Sequence, residues 1–177
     1  MKFYTKLQDW LAGPFSQKMQ KFMQNPYMHA LQVCFTIILP MIMVGSLASL
    51  VNTFRNFAPW LPDLSLINSF SFGLISIFMA FLIPYTIMES KKLQKQKMIT
   101  GFASVSALIA LANPQYVDGN LVINSGYVGT GGMTVAMVMG LVIGWLFSAY
   151  FKHGLFKKDS SLPSVVVVWF ESILIIL

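Results

Sequence analysis

Long apolar stretches separated by short polar segments make up most of this chain. Four of them, at residues 30–51, 67–88, 99–112 and 133–151, are predicted to form transmembrane helices. Each approaches the ~20 residues that a helix needs to cross ~30 Å of hydrocarbon, and the short third one must extend into its flanks. A fifth apolar stretch covers residues 163–177, which are too few for a crossing. We therefore expect a fifth helix that is cut short.

The segment before the first span has an amphipathic pattern. Within residues 15–24 the apolar side chains Phe15, Met19, Phe22 and Met23 fall on one helical face, and Lys and Gln occupy most of the other positions. A basic amphipathic helix beside a membrane span commonly lies in the plane of the lipid headgroups. A solvated linker and a helix that binds a partner protein are the alternatives.

Together these patterns predict an all-α membrane protein with two parts. Residues 1–25 form the amphipathic, interfacial N-terminal segment, and residues 26–177 form the transmembrane domain with four spanning helices and a truncated fifth. The Asn25-Pro26 pair predicts the break between the two parts, because both residues favour turns and helix starts.

Lys and Arg are concentrated in alternate connections of this predicted domain. The flanks of the four spans carry, in chain order, four, one, four, zero and three of them. Cytoplasmic loops accumulate Lys and Arg, so the N-terminus is predicted to be cytoplasmic. The connection at residues 113–132 has neither residue type and is predicted to lie outside.

Composition supports a membrane protein and excludes other classes. Apolar residues make up 56% of the chain and charged residues only 10%, which is more apolar surface than a soluble protein of this size can bury. A net charge of +6 would suit nucleic acid, but these charges lie in short loops and form no single basic face. The single cysteine, Cys34, lies inside a span, so neither a disulfide framework nor a metal site is predicted.

The outer connection contains a hairpin signal. Asp118-Gly119 stands between two short runs of residues that favour strands, 115–117 and 121–123. Asp-Gly is one of the pairs that fit a two-residue hairpin turn.

Small residues recur every fourth position along the fourth span. Such a stripe lets two helix backbones approach closely, which favours helix association in lipid. The neighbour can lie in the same bundle or in a second subunit, and the sequence leaves both open. The stripe consists of Gly132, Ala136, Gly140, Gly144 and Ser148.

Few residues offer chemistry. Glu171 is the one carboxylate inside an apolar stretch, and at membrane depth a carboxylate is a candidate for binding a substrate, an ion or a neighbouring helix. His29 and His153 fall at predicted membrane boundaries and are interpreted as solvated residues. No phosphate-binding loop, paired carboxylates or activated nucleophile is evident, so no catalytic residue, metal or cofactor is predicted.

Three stretches carry a resemblance to a known family. They are residues 25–47, beginning Asn-Pro-Tyr-Met-His-Ala-Leu, then residues 129–136, and finally residues 162–171, which begin Leu-Pro and end Phe-Glu. In this order they resemble the membrane-spanning EIIC components of the bacterial phosphotransferase system, in the lactose/cellobiose/diacetylchitobiose branch. The chain departs from the family pattern at Gln32, at Cys34 and after Glu171.

The resemblance implies a permease of the bacterial plasma membrane. Such a protein binds a β-linked disaccharide such as cellobiose outside and presents it inside, where a phosphorylated cytoplasmic EIIB protein donates a phosphoryl group to the sugar. In the family the first five helices form a scaffold and a homodimer interface, whereas the sugar-contacting residues lie in a second half. We therefore expect this chain to be an N-terminal scaffold portion without the sugar site.

Two other functions remain open at this point. The chain could be a stand-alone small membrane protein that pairs with or regulates a full-length permease. An ion or proton transporter that uses Glu171 is disfavoured, because one intramembrane carboxylate provides no relay.

Overall fold

The computed structural model describes Gly13 and residues 15–153, and these residues are mostly helical. The helices run up and down as an antiparallel bundle, with a small hairpin at one end. In chain order the elements are α1 (Ser16–Met23), α2 (Pro26–Phe54), α3 (Ser65–Gly73), α4 (Ile75–Ser90), α5 (Lys97–Leu111), β1 (Gln115–Val117), β2 (Asn120–Val122), α6 (Ser125–Val128), a 3-10 turn (Thr130–Gly132) and α7 (Met133–His153).

Three apolar helical passes are long enough to span a membrane. They are α2, the combined pass Ser65–Ser90 and the pass Thr130–Lys152, and they correspond to the first, second and fourth predicted spans. The third predicted span is α5, whose 15 residues fall short of the ~20 that a crossing requires. The predicted fifth helix and residues 1–12 of the amphipathic segment lie outside the described residues.

The second pass is two helices. It breaks at Leu74, whose φ of −119° and ψ of 5° interrupt the helical geometry between α3 and α4. Gly73 stands just before the break, and glycine is the poorest helix former apart from proline. The apolar pattern runs straight through this point, so hydropathy alone predicts one helix.

The first span begins at a capped end. The Asn25 side chain accepts a hydrogen bond from the backbone N–H of Tyr27 at 3.0 Å, and Pro26 occupies the first helical turn. Asn satisfies a free N–H group there, and proline lacks the N–H that would be left unpaired. The break that Asn25-Pro26 predicts is therefore confirmed.

The C-terminal end of α4 is closed by a Schellman motif. Lys92 has a φ of 62°, in the left-handed region. Its N–H donates to the carbonyl of Glu89, and the N–H of Leu93 donates to the carbonyl of Met88, both at 2.9 Å. Leu93 also packs against the cluster around buried Met88, as is usual for this motif. The cap turns the chain sharply and leaves Lys91 beside the bundle.

Helix α4 is the centre of the bundle, since it packs against α2, α5 and α7. Ile75, Met79, Ile83 and Ile87 recur every fourth residue along it, and none is more than 1% exposed. This stripe joins buried residues of the three neighbours in one apolar core. The outward faces of α2 and α7 are instead rich in exposed apolar side chains, as expected of surfaces that face lipid.

Glycines set how closely the helices approach. A Cβ atom added to Gly101 of α5 would lie 2.6 Å from the ring of Phe81 in α4. One added to Gly45 of α2 would lie 2.8 Å from the ring of Phe72 in α3. Real Cβ atoms do not make such contacts, so each glycine provides space that its neighbour's ring occupies.

The predicted hairpin is confirmed. Strands β1 and β2 pair antiparallel with Val117 opposite Asn120. Asp118 and Gly119 form the turn with φ values of 50° and 79°, the left-handed pair that a type I′ turn requires. This two-stranded sheet is an addition to the all-α fold that the helical pattern predicts.

The glycine contacts generate a stability prediction. Gly140→Ala places a methyl group 2.9 Å from the Cβ of Ile83, so we expect it to lower the free energy of unfolding by about 1–3 kcal/mol. Gly73→Ala is the matched control, because nothing lies within 4 Å of its added Cβ. Equilibrium unfolding in mixed detergent micelles measures both. Equal effects of the two substitutions would contradict the close helix approach.

Candidate functional site

The small-residue stripe of α7 faces α4 of the same chain. An added Cβ at Gly140 would lie 2.9 Å from the Cβ of Ile83, and one at Gly144 would lie 2.6 Å from the terminal methyl of Ile87. Ala136, between the ends of the stripe, is fully buried. These residues bring α7 against α4, so their neighbour is within the bundle.

The two ends of the stripe meet polar groups. At the hairpin end, a side chain on Gly132 would collide with the carbonyl of Tyr127, and the Ser76 hydroxyl donates a hydrogen bond to the carbonyl of Gly129. At the opposite end, Ser148 is 2% exposed and accepts a hydrogen bond from Lys91. The stripe is therefore a packing surface with a polar contact at each end.

The contact at Ser148 belongs to a polar cluster, here named the Lys91 cluster and formed by Tyr27, Lys91 and Ser148. The Lys91 ammonium donates to the Tyr27 hydroxyl and to the Ser148 hydroxyl, at 2.7 Å each. It also lies 4.6 Å from the centroid of the Tyr27 ring, within cation–π range. Ser148 in turn donates to the carbonyl of Trp145 at 2.9 Å.

Three helix ends create this cluster. Tyr27 lies in the first turn of α2, which the Asn25 cap fixes. Lys91 is the C-cap residue of α4, and Ser148 lies near the end of α7, on the stripe that faces α4. Because successive passes of the bundle run in opposite directions, the start of α2 lies beside the ends of α4 and α7. A cavity of about 310 Å³ opens beside the cluster and is lined by Lys91, Leu93, Ser148 and Lys152.

A second lysine at the same end has a different environment. Lys97, at the start of α5, lies 2.9 Å from a carboxylate oxygen of Glu89 and 4.7 Å from the centroid of the Tyr85 ring. A hydrogen bond to Tyr85, which is the larger contribution, and a hydrogen bond to Glu89 raise the pKa of Lys97 above its usual 10.5. Lys97 therefore keeps its charge until the pH rises through this raised pKa. Lys97 thus joins α4 to α5 and has its own counter-ion.

The α2–α3 connection, at the hairpin end, holds another ion pair. Arg55 and Asp63 approach to 2.9 Å, with both side chains well exposed. Hydrogen bonds from Ser65, and then the charge of Arg55, lower the pKa of Asp63 below its usual 3.8. An exposed pair of this kind contributes little to stability and mainly orders the loop.

Within the described part of the chain, the candidate carboxylate and the histidines add no further site. Glu171 lies outside the described residues. His29 is exposed near the start of α2, and His153 is the last residue of α7. Among the residues that the structure describes, no three His, Cys, Asp or Glu side chains come close enough to hold a metal ion. Cys34 is fully buried.

The chemistry that this arrangement offers is therefore electrostatic. A fixed ammonium group with hydroxyl neighbours, as in the Lys91 cluster, is a group that can bind and orient an anion. Sequence reasoning missed the cluster because Lys91 is 64 residues from Tyr27 and 57 from Ser148. The available signals were that Tyr27 and Lys91 both adjoin helix ends and that Ser148 ends the small-residue stripe.

Three apolar passes arranged as a bundle are compatible with a membrane-associated protein. No family model, curated protein or solved structure matches this chain.

Proposed function

We propose that this chain is the scaffold portion of a sugar permease of the phosphotransferase system, an EIIC component that carries a β-linked disaccharide such as cellobiose. The three stretches that resemble this family support the proposal. Two of them, residues 25–47 and 129–136, fall within α2 and at the start of α7. In this scheme the full-length permease, which is a homodimer in the family, binds the sugar and interacts with the phosphorylated EIIB protein.

The buried surface of α4 is the observation that supports a scaffold role. Ile75, Met79, Ile83 and Ile87 fill the interior between α2, α5 and α7 with apolar side chains. A sugar site needs several convergent hydrogen-bonding groups, as polar ligands do generally. The four α4 side chains in the middle of this bundle are apolar and fully packed, which suits a part that holds a translocating domain in place.

The distribution of charge supports an orientation in the bacterial plasma membrane with the N-terminus in the cytoplasm. Lys91, Lys92, Lys95 and Lys97 lie at the end of the bundle where α4 stops and α5 begins, and Lys152 lies near them at the end of α7. The hairpin at the other end carries no Lys or Arg. Cytoplasmic loops carry such an excess of basic residues.

Cysteine labelling tests the orientation. In a Cys34→Ala background, Asp118→Cys in the hairpin turn should react with a membrane-impermeant maleimide on intact cells. Lys95→Cys, exposed at the opposite end, should react only after the membrane is opened. Labelling of Lys95→Cys alone on intact cells would show the reverse orientation.

Sugar uptake tests the function. In cells with EIIB but no other EIIC, this chain should insert without supporting uptake or phosphorylation of labelled cellobiose. A chimera in which it replaces the corresponding part of a cellobiose EIIC should restore both. Uptake by the chain alone would refute the scaffold role. A chimera that inserts and remains inactive would refute the family assignment and favour a stand-alone protein that regulates a permease.

A further inference from the structure

The cavity beside the Lys91 cluster has a lining suited to an anion. Its four lining residues are two lysines, Lys91 and Lys152, one serine hydroxyl and the apolar side chain of Leu93. No carboxylate belongs to the lining that the structure describes. The volume of about 310 Å³ is enough for a phosphate group with a few attached carbon atoms.

These two lysines have no counter-ion in the part of the chain that the structure describes. There the ion pairs join Arg55 to Asp63 and Lys97 to Glu89. The contrast with Lys97 is informative, since it lies in the same connection and has a carboxylate at 2.9 Å. Lys91 has only hydroxyl partners among these residues, which orient its charge without neutralising it.

The Lys91 ammonium is also held in place before any ligand arrives. Two of its three N–H groups can be directed to Tyr27 and Ser148, and the Tyr27 ring lies against it. One N–H group remains for a ligand. A lysine whose side chain is already ordered loses less conformational entropy on binding than a free surface lysine.

The site lies at the level where apolar helices end. Lys91 caps α4, and Lys152 is the last residue of the apolar pass Thr130–Lys152. In a membrane this level is occupied by lipid headgroups, and basic pockets between helices there bind anionic ones. On α7, the exposed side chain of Trp145 precedes Lys152 by seven residues, about two helical turns, and therefore lies on the same side of the helix.

We propose that this cavity binds a phosphate group, and that the phosphate is the headgroup of an anionic phospholipid such as phosphatidylglycerol. The inference requires that the bundle is inserted in a membrane, and it is independent of sugar transport. A free phosphate or a soluble phosphorylated compound shares the same recognition chemistry, and the experiment separates these sources.

Lipid binding to the purified, delipidated protein in a neutral detergent tests the proposal. By native mass spectrometry the protein should retain phosphatidylglycerol in preference to phosphatidylcholine. Lys91→Gln and Lys152→Gln should each weaken this binding roughly fivefold, as expected for one lost lysine contact near the surface. Lys92→Gln is the matched control, because it removes the same charge from the adjacent exposed residue outside the cavity.

Each outcome of these measurements either supports or overturns the proposed lipid site. Equal retention of the two lipids, or equal losses for Lys91→Gln and Lys92→Gln, would overturn the proposal. Protection against thermal unfolding by inorganic phosphate without lipid, lost in Lys91→Gln, would assign the site to a soluble phosphate instead. If Lys91→Gln fails to fold, Lys152→Gln provides the comparison with Lys92→Gln, because Lys152 is exposed.

Discussion

The close approach of neighbouring helices to α4 is the constraint on which the rest of this structure depends. In lipid, which is as apolar as these helices, their association would rely on close packing between them. Gly101 and Gly140 permit the close approach of α5 and α7 to α4, because an added Cβ at either glycine would lie under 3 Å from a side chain of α4. The apolar core around Ile83 exists only because these backbones come so near.

The same packing determines where the polar groups meet. With α7 pressed against α4, Ser148 comes within 2.7 Å of the Lys91 ammonium, which also reaches Tyr27 at the start of α2. The Schellman motif at Lys92 turns the chain away at this point. The Lys91 cluster thus follows from helix ends that the glycine contacts bring together. The proposed anion site and the proposed scaffold role both depend on this packing.

Features set by local chemistry could be predicted from the sequence, and features set by neighbours could not. The apolar passes, the Asn25 cap and the Asp118-Gly119 turn each follow from a few adjacent residues. The break at Leu74 could not be predicted from hydropathy, because apolar residues continue on both sides of it, and Gly73 was its local signal. The stripe was evident, but its partner was not, since only the tertiary arrangement shows that it faces Ile83. The Lys91 cluster joins residues that are far apart in sequence.

A cross-link between α4 and α7 tests their close packing most directly. A Cβ added at Gly140 lies 2.9 Å from the Cβ of Ile83, and disulfides need a Cβ separation of about 3.5–4.5 Å. In a Cys34→Ala background, the double variant Ile83→Cys with Gly140→Cys can reach that separation by a small outward shift, because cysteine is smaller than isoleucine.

If α7 packs against α4 of the same chain, mild oxidation in membranes should form a disulfide between the two cysteines of this double variant. Proteolytic cleavage of the hairpin should then leave the two fragments of the chain joined until the disulfide is reduced. The pair Gly73→Cys with Gly140→Cys should not link. Disulfide-linked dimers through positions 83 and 140, or no link at all, would contradict the packing of α7 against α4 of the same chain.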